Sequence, residues 1–260
     1  MTDNDRTVTL RSGLSMPLVG IGTWRLEGEP GYRAVRHALR VGYRHIDTAT
    51  MYGNEVEVGR ALRDSGVPRD QVFITTKLPP ERAGQERRTL TDSLRALGTD
   101  YIDLWLVHWP PRRRASVTTW QQFLAVRDEG LVRAVGVSNY SPGQIDELLD
   151  ATNEAPEVNQ IPWSPSRYDA KRLSEHRERD IVVEGYSPFR YENLDAPVLV
   201  EIAAAHGVTA AQVVLRWHIQ HGIVAIPKSA TPERIESNLD VFGFALTPDE
   251  MARIDALGSG

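Results

Sequence analysis

Four side chains in this 260-residue sequence, Asp47, Tyr52, Lys77 and His108, are of types that act together on a proton. A tyrosine hydroxyl, with an ordinary pKa of about 10, is a slow proton donor near neutrality. An adjacent lysine ammonium favours the phenolate and lowers that pKa, and a carboxylate beside the lysine keeps it charged and in place. Asp47, Lys77 and Tyr52 suit such a relay, and His108 can add a hydrogen bond that orients a carbonyl or stabilises charge building on its oxygen. Taken singly, each has a plain alternative, since a lone Asp or His at a strand end often satisfies nearby backbone groups. The case rests on their order along the chain: Asp47, Lys77 and His108 fall at the ends of three successive predicted strands, with Tyr52 in the loop after Asp47.

Those strands belong to a longer series. Short β-branched runs recur at residues 18–21, 45–48, 72–76, 102–107, 134–137, 157–160, 181–185 and 223–226, each followed by an amphipathic stretch of helical length. Runs such as 102–107 are too apolar for a sheet with one wet face, so a parallel sheet buried on both sides is expected. Helix starts are marked by Asn54, Ser141-Pro142, Thr209 and Thr231-Pro232, and helix ends by Gly66, Gly98, Gly130 and Gly207. Residues 7–16 read as a small hairpin before the first barrel strand. No linker divides the chain, so residues 1–260 are taken as one domain. Alternating β and α units leave a closed barrel or an open doubly wound sheet. The regular spacing favours an α/β fold built as a single (β/α)8 TIM barrel. The open sheet would need a glycine-rich phosphate loop, but Gly20-Ile21-Gly22 lacks the third glycine. In such a barrel, reactive groups stand at the C-terminal ends of the strands.

Composition narrows the partners. The net charge of -5 provides no positive field for a nucleic acid backbone. There is no cysteine, which removes disulfides, thiolate nucleophiles and cysteine-based zinc sites. No apolar run of membrane-spanning length and no leader-like N-terminus is visible, so a cytoplasmic monomer acting on a small molecule is expected, with no nucleic acid and no membrane partner.

The stretch Gly42-Tyr43-Arg44-His45-Ile46-Asp47-Thr48-Ala49, followed by Tyr52-Gly53-Asn54-Glu55, resembles the signature of the aldo-keto reductase family. Thr76-Lys77-Leu78, residues 106–110, residues 136–140, Tyr186-Ser187-Pro188 and residues 226–229 match further family motifs in the right order. The resemblance runs from Leu18 to Leu257 and is similar in kind to the bacterial 2,5-diketo-D-gluconic acid reductases. It implies NADPH as cofactor, no metal, and reduction of an aldehyde or ketone to an alcohol. Asp47, Tyr52, Lys77 and His108 would be the catalytic tetrad, with Tyr52 giving a proton to the carbonyl oxygen. Gly22, Thr23 and Trp24 would lie beside the cofactor, Asp47 close by, and Ser138, Asn139 and Gln160 would hold the carboxamide. Tyr186 would stack on the nicotinamide, while Ser187 and Phe189 would border the pyrophosphate. Asn238 would meet the adenine.

Lys228, Ser229 and Arg234 provide two cations and a hydroxyl that suit a 2′-phosphate, against the alternative of a solvated surface pair. Two departures from the family pattern stand out. Ser237 occupies a position where many relatives carry Glu, and residues 161–165 read Ile-Pro-Trp-Ser-Pro, which points to a differently shaped sixth loop.

Trp24 and Trp109, with Tyr52 and His108, are expected to border the substrate. Trp105, Trp120 and Trp217 are expected in the shell between strands and helices. The run Arg112-Arg113-Arg114 can attract an anionic substrate or be a solvated surface run. The remaining histidines, His37, His45, His176, His206, His218 and His221, show no metal spacing and read as structural or surface residues. The chain stops soon after its last helix, from which an open mouth is expected. Two other readings compete: an NADPH-binding, redox-sensing regulatory subunit with slow turnover, and a metallohydrolase on Asp47 and His108, for which paired histidines are missing.

Overall fold

Eight parallel strands close into a barrel in the computed structural model, which describes residues 6–111 and 115–258. A hairpin precedes them: β1 (Thr7–Thr9) pairs antiparallel with β2 (Ser15–Pro17), Val8 opposite Met16. The barrel strands are β3 (Ile21–Gly22), β4 (His45–Asp47), β5 (Phe73–Leu78), β6 (Ile102–Val107), β7 (Val132–Ser138), β8 (Val158–Pro162), β9 (Val182–Tyr186) and β10 (Val224–Ile226). Each lies beside the next in chain order. The seam between first and last is closed by a bridge between Val19 and Ala225 and by Gly22 N donating to the Pro227 carbonyl. A Cβ at Gly22 would lie 3.0 Å from the Ile226 carbonyl oxygen, so glycine lets the seam strands approach closely.

The predicted helix boundaries have visible causes. Pro142–Thr152 and Ala210–Gln220 open with capping boxes, Ser141 with Gln144 and Thr209 with Gln212. Gly66, Gly98 and Gly207 end helices in the left-handed conformation that a side chain disfavours. Between β9 and β10 the chain inserts a further helix, Pro197–His206, beyond the one marked by Thr209. One strand end differs from expectation, and one residue expected at the cofactor lies beyond its strand. Lys77 is the penultimate residue of β5, and Lys228 lies two residues past β10, because Pro227 cannot donate to the ladder.

Trp105, Trp120 and Trp217 are buried between barrel and helices, with Trp105 stacked on Phe123 at 3.8 Å between ring centroids. No single helix among the described residues is long and apolar enough to cross a membrane. The Arg112 to Arg114 run lies outside the described residues.

Candidate active site

Alternation along a strand turns every second side chain into the barrel. At the C-terminal rim this collects Asp47 from β4, Lys77 from β5, Gln160 from β8 and Glu184 with Tyr186 from β9. Lys77 is completely buried; its Nζ donates to Asp47 Oδ2 at 2.6 Å and to the Thr48 carbonyl at 2.7 Å. The ammonium also lies 5.2 Å from the centroid of the Tyr52 ring, and that ring meets His108 edge to face at 5.7 Å. Tyr52 ends a single 3-10 turn, Thr50–Tyr52, anchored by Thr50 Oγ1 on the Lys77 carbonyl and released by Gly53 at φ 66°. Thus the four residues separated by up to 61 positions in sequence meet at one point of the rim, since 108 minus 47 is 61.

The electrostatics of the group follow from its burial. Burial alone would pull the Lys77 pKa down, but the Asp47 charge and hydrogen bond, with Tyr52 and Glu184, reverse this and raise it, so the ammonium persists. Burial raises the Tyr52 pKa and the nearby Lys77 lowers it, with a net upward shift. The expected lowering by Lys77 is therefore present but outweighed by desolvation, and the phenol keeps its proton. Burial and then Lys77 push His108 down to about 3, so its ring is neutral.

The residues expected at the cofactor fall into two groups. One is a connected ladder. Ser138 Oγ and Asn139 N both donate to the Gln160 carbonyl at 2.9 Å, Asn139 Nδ2 donates to Ser138 Oγ, and the Tyr186 hydroxyl donates to Asn139 Oδ1 at 3.0 Å. Asn139 and Ser187 hold positive φ, 63° and 56°, where non-glycine residues are uncommon. Phe189 is half-buried beyond them. The second group lies past β10: Ser229 and Asn238 are buried, whereas Lys228 and Arg234 are exposed and, among the described residues, have no carboxylate partner. Gly22 and Thr23 are buried at the end of β3, and the Thr23 hydroxyl has no partner. Trp24 and Trp109 are 42% and 45% exposed at the rim.

Four residues, Asn54, Arg25, Arg190 and Glu184, have contacts here that the sequence does not indicate. Asn54 occupies the predicted helix-start position, but its side chain does not cap the helix. It donates to the Thr23 and Leu26 carbonyls and accepts from Thr48 Oγ1, tying the loop that carries Trp24 to the loop that carries Tyr52. The Arg25 and Arg190 guanidiniums lie 4.5 and 5.9 Å from the Trp24 ring, adding positive charge to the mouth. Glu184, completely buried, accepts from Gln160 Nε2 at 2.8 Å, and the same nitrogen donates to Asp47 Oδ2 at 2.7 Å. Among the described residues no three His, Asp or Glu side chains are grouped as a metal ion would need.

A family model, Aldo/keto reductase family, matches residues 18–259. The chain is 44% identical over 257 residues to an aldo-keto reductase of Mycolicibacterium smegmatis, which covers 97% of this chain and 94% of that one. It is 42% identical to a 2,5-diketo-D-gluconic acid reductase B of Corynebacterium sp., over 99% of this chain and 95% of that one. Among solved structures, an aldo-keto reductase of Bombyx mori in complex with NADP superposes with a TM-score of 0.91 at 33% identity, covering 96% of this chain and 92% of that one.

Proposed function

This chain belongs to the aldo/keto reductase family, and from that premise we propose that it reduces an aldehyde or ketone to the alcohol with Tyr52 as the proton donor. The observation that carries the reading is the convergence of Tyr52, His108 and the buried Lys77–Asp47 pair at one point of the barrel rim. The cofactor is NADPH, and the residues present fit it. Lys228 and Arg234 are exposed cations with no carboxylate to neutralise them among the described residues, and the buried Thr23 hydroxyl is unpartnered. Lys228, Ser229 and Arg234 hold the 2′-phosphate and Asn238 the adenine. Ser138, Asn139 and Gln160 hold the carboxamide, with Tyr186 against the ring. Gly22, Thr23 and Trp24 flank it, and Ser187 and Phe189 border the pyrophosphate. When bound, NADPH supplies a hydride to the carbonyl carbon.

Tyr52 supplies the matching proton to the carbonyl oxygen from its hydroxyl. Its upward-shifted pKa keeps the proton in place until charge develops on the substrate. Lys77 then stabilises the phenolate left behind, which recovers a proton from solvent. Neutral His108 has one N–H to direct at the same carbonyl oxygen, and its Nδ1 is buried without a partner. Trp24 and Trp109 form apolar walls for a small carbonyl substrate acted on by the monomer.

Loss of NADPH absorbance with a panel of aldehydes, α-keto esters and diketones, alongside quenching of tryptophan fluorescence by NADPH, tests the proposal. Turnover together with quenching supports it. Quenching without turnover on any carbonyl refutes it in favour of a regulatory NADPH-binding role.

A further inference from the structure

Glu184 is a buried carboxyl for which the proposed reaction has no use. It stands on β9 two residues before Tyr186, so both side chains face the barrel interior. Its Oε2 and Asp47 Oδ2 flank Gln160 Nε2 at 2.8 and 2.7 Å from opposite strands. Both hydrogens of the Gln160 amide are committed to these two acceptors, which fixes the side chain against the alternative flip and leaves its oxygen on the far side.

The charges around Glu184 decide its state. From β4 it is faced by Asp47 and by His45, whose Nε2 also meets Thr75 Oγ1 at 3.1 Å, from the turn after β4 by Tyr52, from β5 by Lys77 and from β8 by Gln160. Its partners on β10, Val224 to Ile226, are apolar. Among these groups Lys77 is the only fixed cation, and Asp47 already takes it at 2.6 Å. Ionised, Glu184 would be a second buried anion against one cation, shut off from bulk solvent. Its Oε1 lacks a hydrogen-bond partner and lies 3.4 Å from His45 Nε2. The His45 ring is held from behind: a Cβ at Gly20 would come within 2.6 Å of Nδ1.

We propose that Glu184 is a positioning residue that keeps its proton in the working enzyme. Oε1–H is turned to His45 and Oε2 receives Gln160, and the Gln160 oxygen is thereby presented to the nicotinamide carboxamide. This rests on the reading that Gln160 holds that carboxamide. Burial and the Asp47 charge push the Glu184 pKa up to about 8, and burial and Lys77 push His45 down to about 3, in agreement.

Infrared difference spectra of the cofactor-free protein against E184Q at neutral pH test the protonation state directly. A carbonyl stretch of a protonated carboxyl that E184Q removes is expected, and its absence overturns the proposal. Fluorescence titration tests the positioning. E184L is expected to weaken NADPH and NADH alike by about tenfold, the loss of one amide contact. E184Q, whose amide oxygen can still receive Gln160, is expected to restore both to within about threefold. Unaltered binding by E184L, or no rescue by E184Q, overturns the proposal. Q160L separates the levels: if it binds both nucleotides at full strength, the carboxamide reading falls and this inference with it. A weakened Q160L beside an unaffected E184L overturns the Glu184 inference alone.

Discussion

If Arg234 holds the 2′-phosphate as proposed, removing its guanidinium isolates that contribution, because Arg234 is exposed and, among the described residues, carries no ion pair whose loss would disturb the fold. A charge-assisted hydrogen bond contributes about 1.5–3 kcal/mol, and exposure to water places Arg234 toward the lower part of that range. At ~2 kcal/mol, Arg234→Ala weakens NADPH about 30-fold. NADH has no 2′-phosphate and should change by less than about twofold.

The assay is built into the molecule. Trp105, Trp120 and Trp217 are buried between barrel and helices and Trp163 is buried beside Tyr186, whereas Trp24 and Trp109 are exposed at the rim, so quenching on titration reports the site. Added salt should narrow the NADPH to NADH ratio in the unaltered protein, since the Debye length falls from about 10 Å at 0.1 M to about 3 Å at 1 M. Equal loss for the two nucleotides, or no loss for either, would refute the assignment of the phosphate to Lys228, Ser229 and Arg234.

Tyr52→Phe should lower turnover by about 10³-fold or more while leaving the NADPH dissociation constant nearly unchanged; parallel loss of both would remove Tyr52 from the role of proton donor. Stability should fall on mild acidification. His45, His108 and His218 are held neutral, at about 3, 3 and 4, so the unfolded chain binds more protons below the ordinary histidine range and stability drops as pH decreases. From pH 7 to pH 5 the three together lose stability on the order of a few kcal/mol, while Glu184, shifted upward, works in the opposite sense and recovers part of it. Urea denaturation should therefore show a net loss of stability, steeper in E184Q, and equal stability at the two pH values would count against buried neutral histidines. Thr209→Ala removes a capping box that also sets Gln212 against the Asp240 carbonyl, and should cost about 1 kcal/mol by the same measurement.

The proposed tetrad is legible in sequence because strand ends are. Asp47, Lys77 and His108 each follow or close an apolar run, Tyr52 comes on the loop after the first of them, and a barrel brings neighbouring strand ends together in order. What sequence cannot carry is the contact across the barrel. Glu184 reads as one polar residue in an apolar run, and only the inward face it shares with Tyr186 hints at its role. Its meeting with Asp47 through Gln160 spans 137 positions, 184 minus 47. Asn54 is legible as a helix start, but its bonds to the Thr23 and Leu26 carbonyls depend on how two loops stack. The Tyr52 proton shows the same limit from the electrostatic side. Residue type predicts the pull of Lys77, while the opposing effect of burial exists only once the rim is assembled.

The seam between Val19 and Ala225 also bears on how the molecule is made. Asp47 and Lys77 belong to the half of the barrel synthesised first, and Gln160 and Glu184 to the half synthesised last. An open half-sheet would leave the Lys77 ammonium on a wet inward face, where hydration suits it well. Sealing the seam strips that water from all these groups at once, so the network forms complete or not at all. Refolding should therefore end in one late, cooperative step that gathers contacts between residues far apart in sequence.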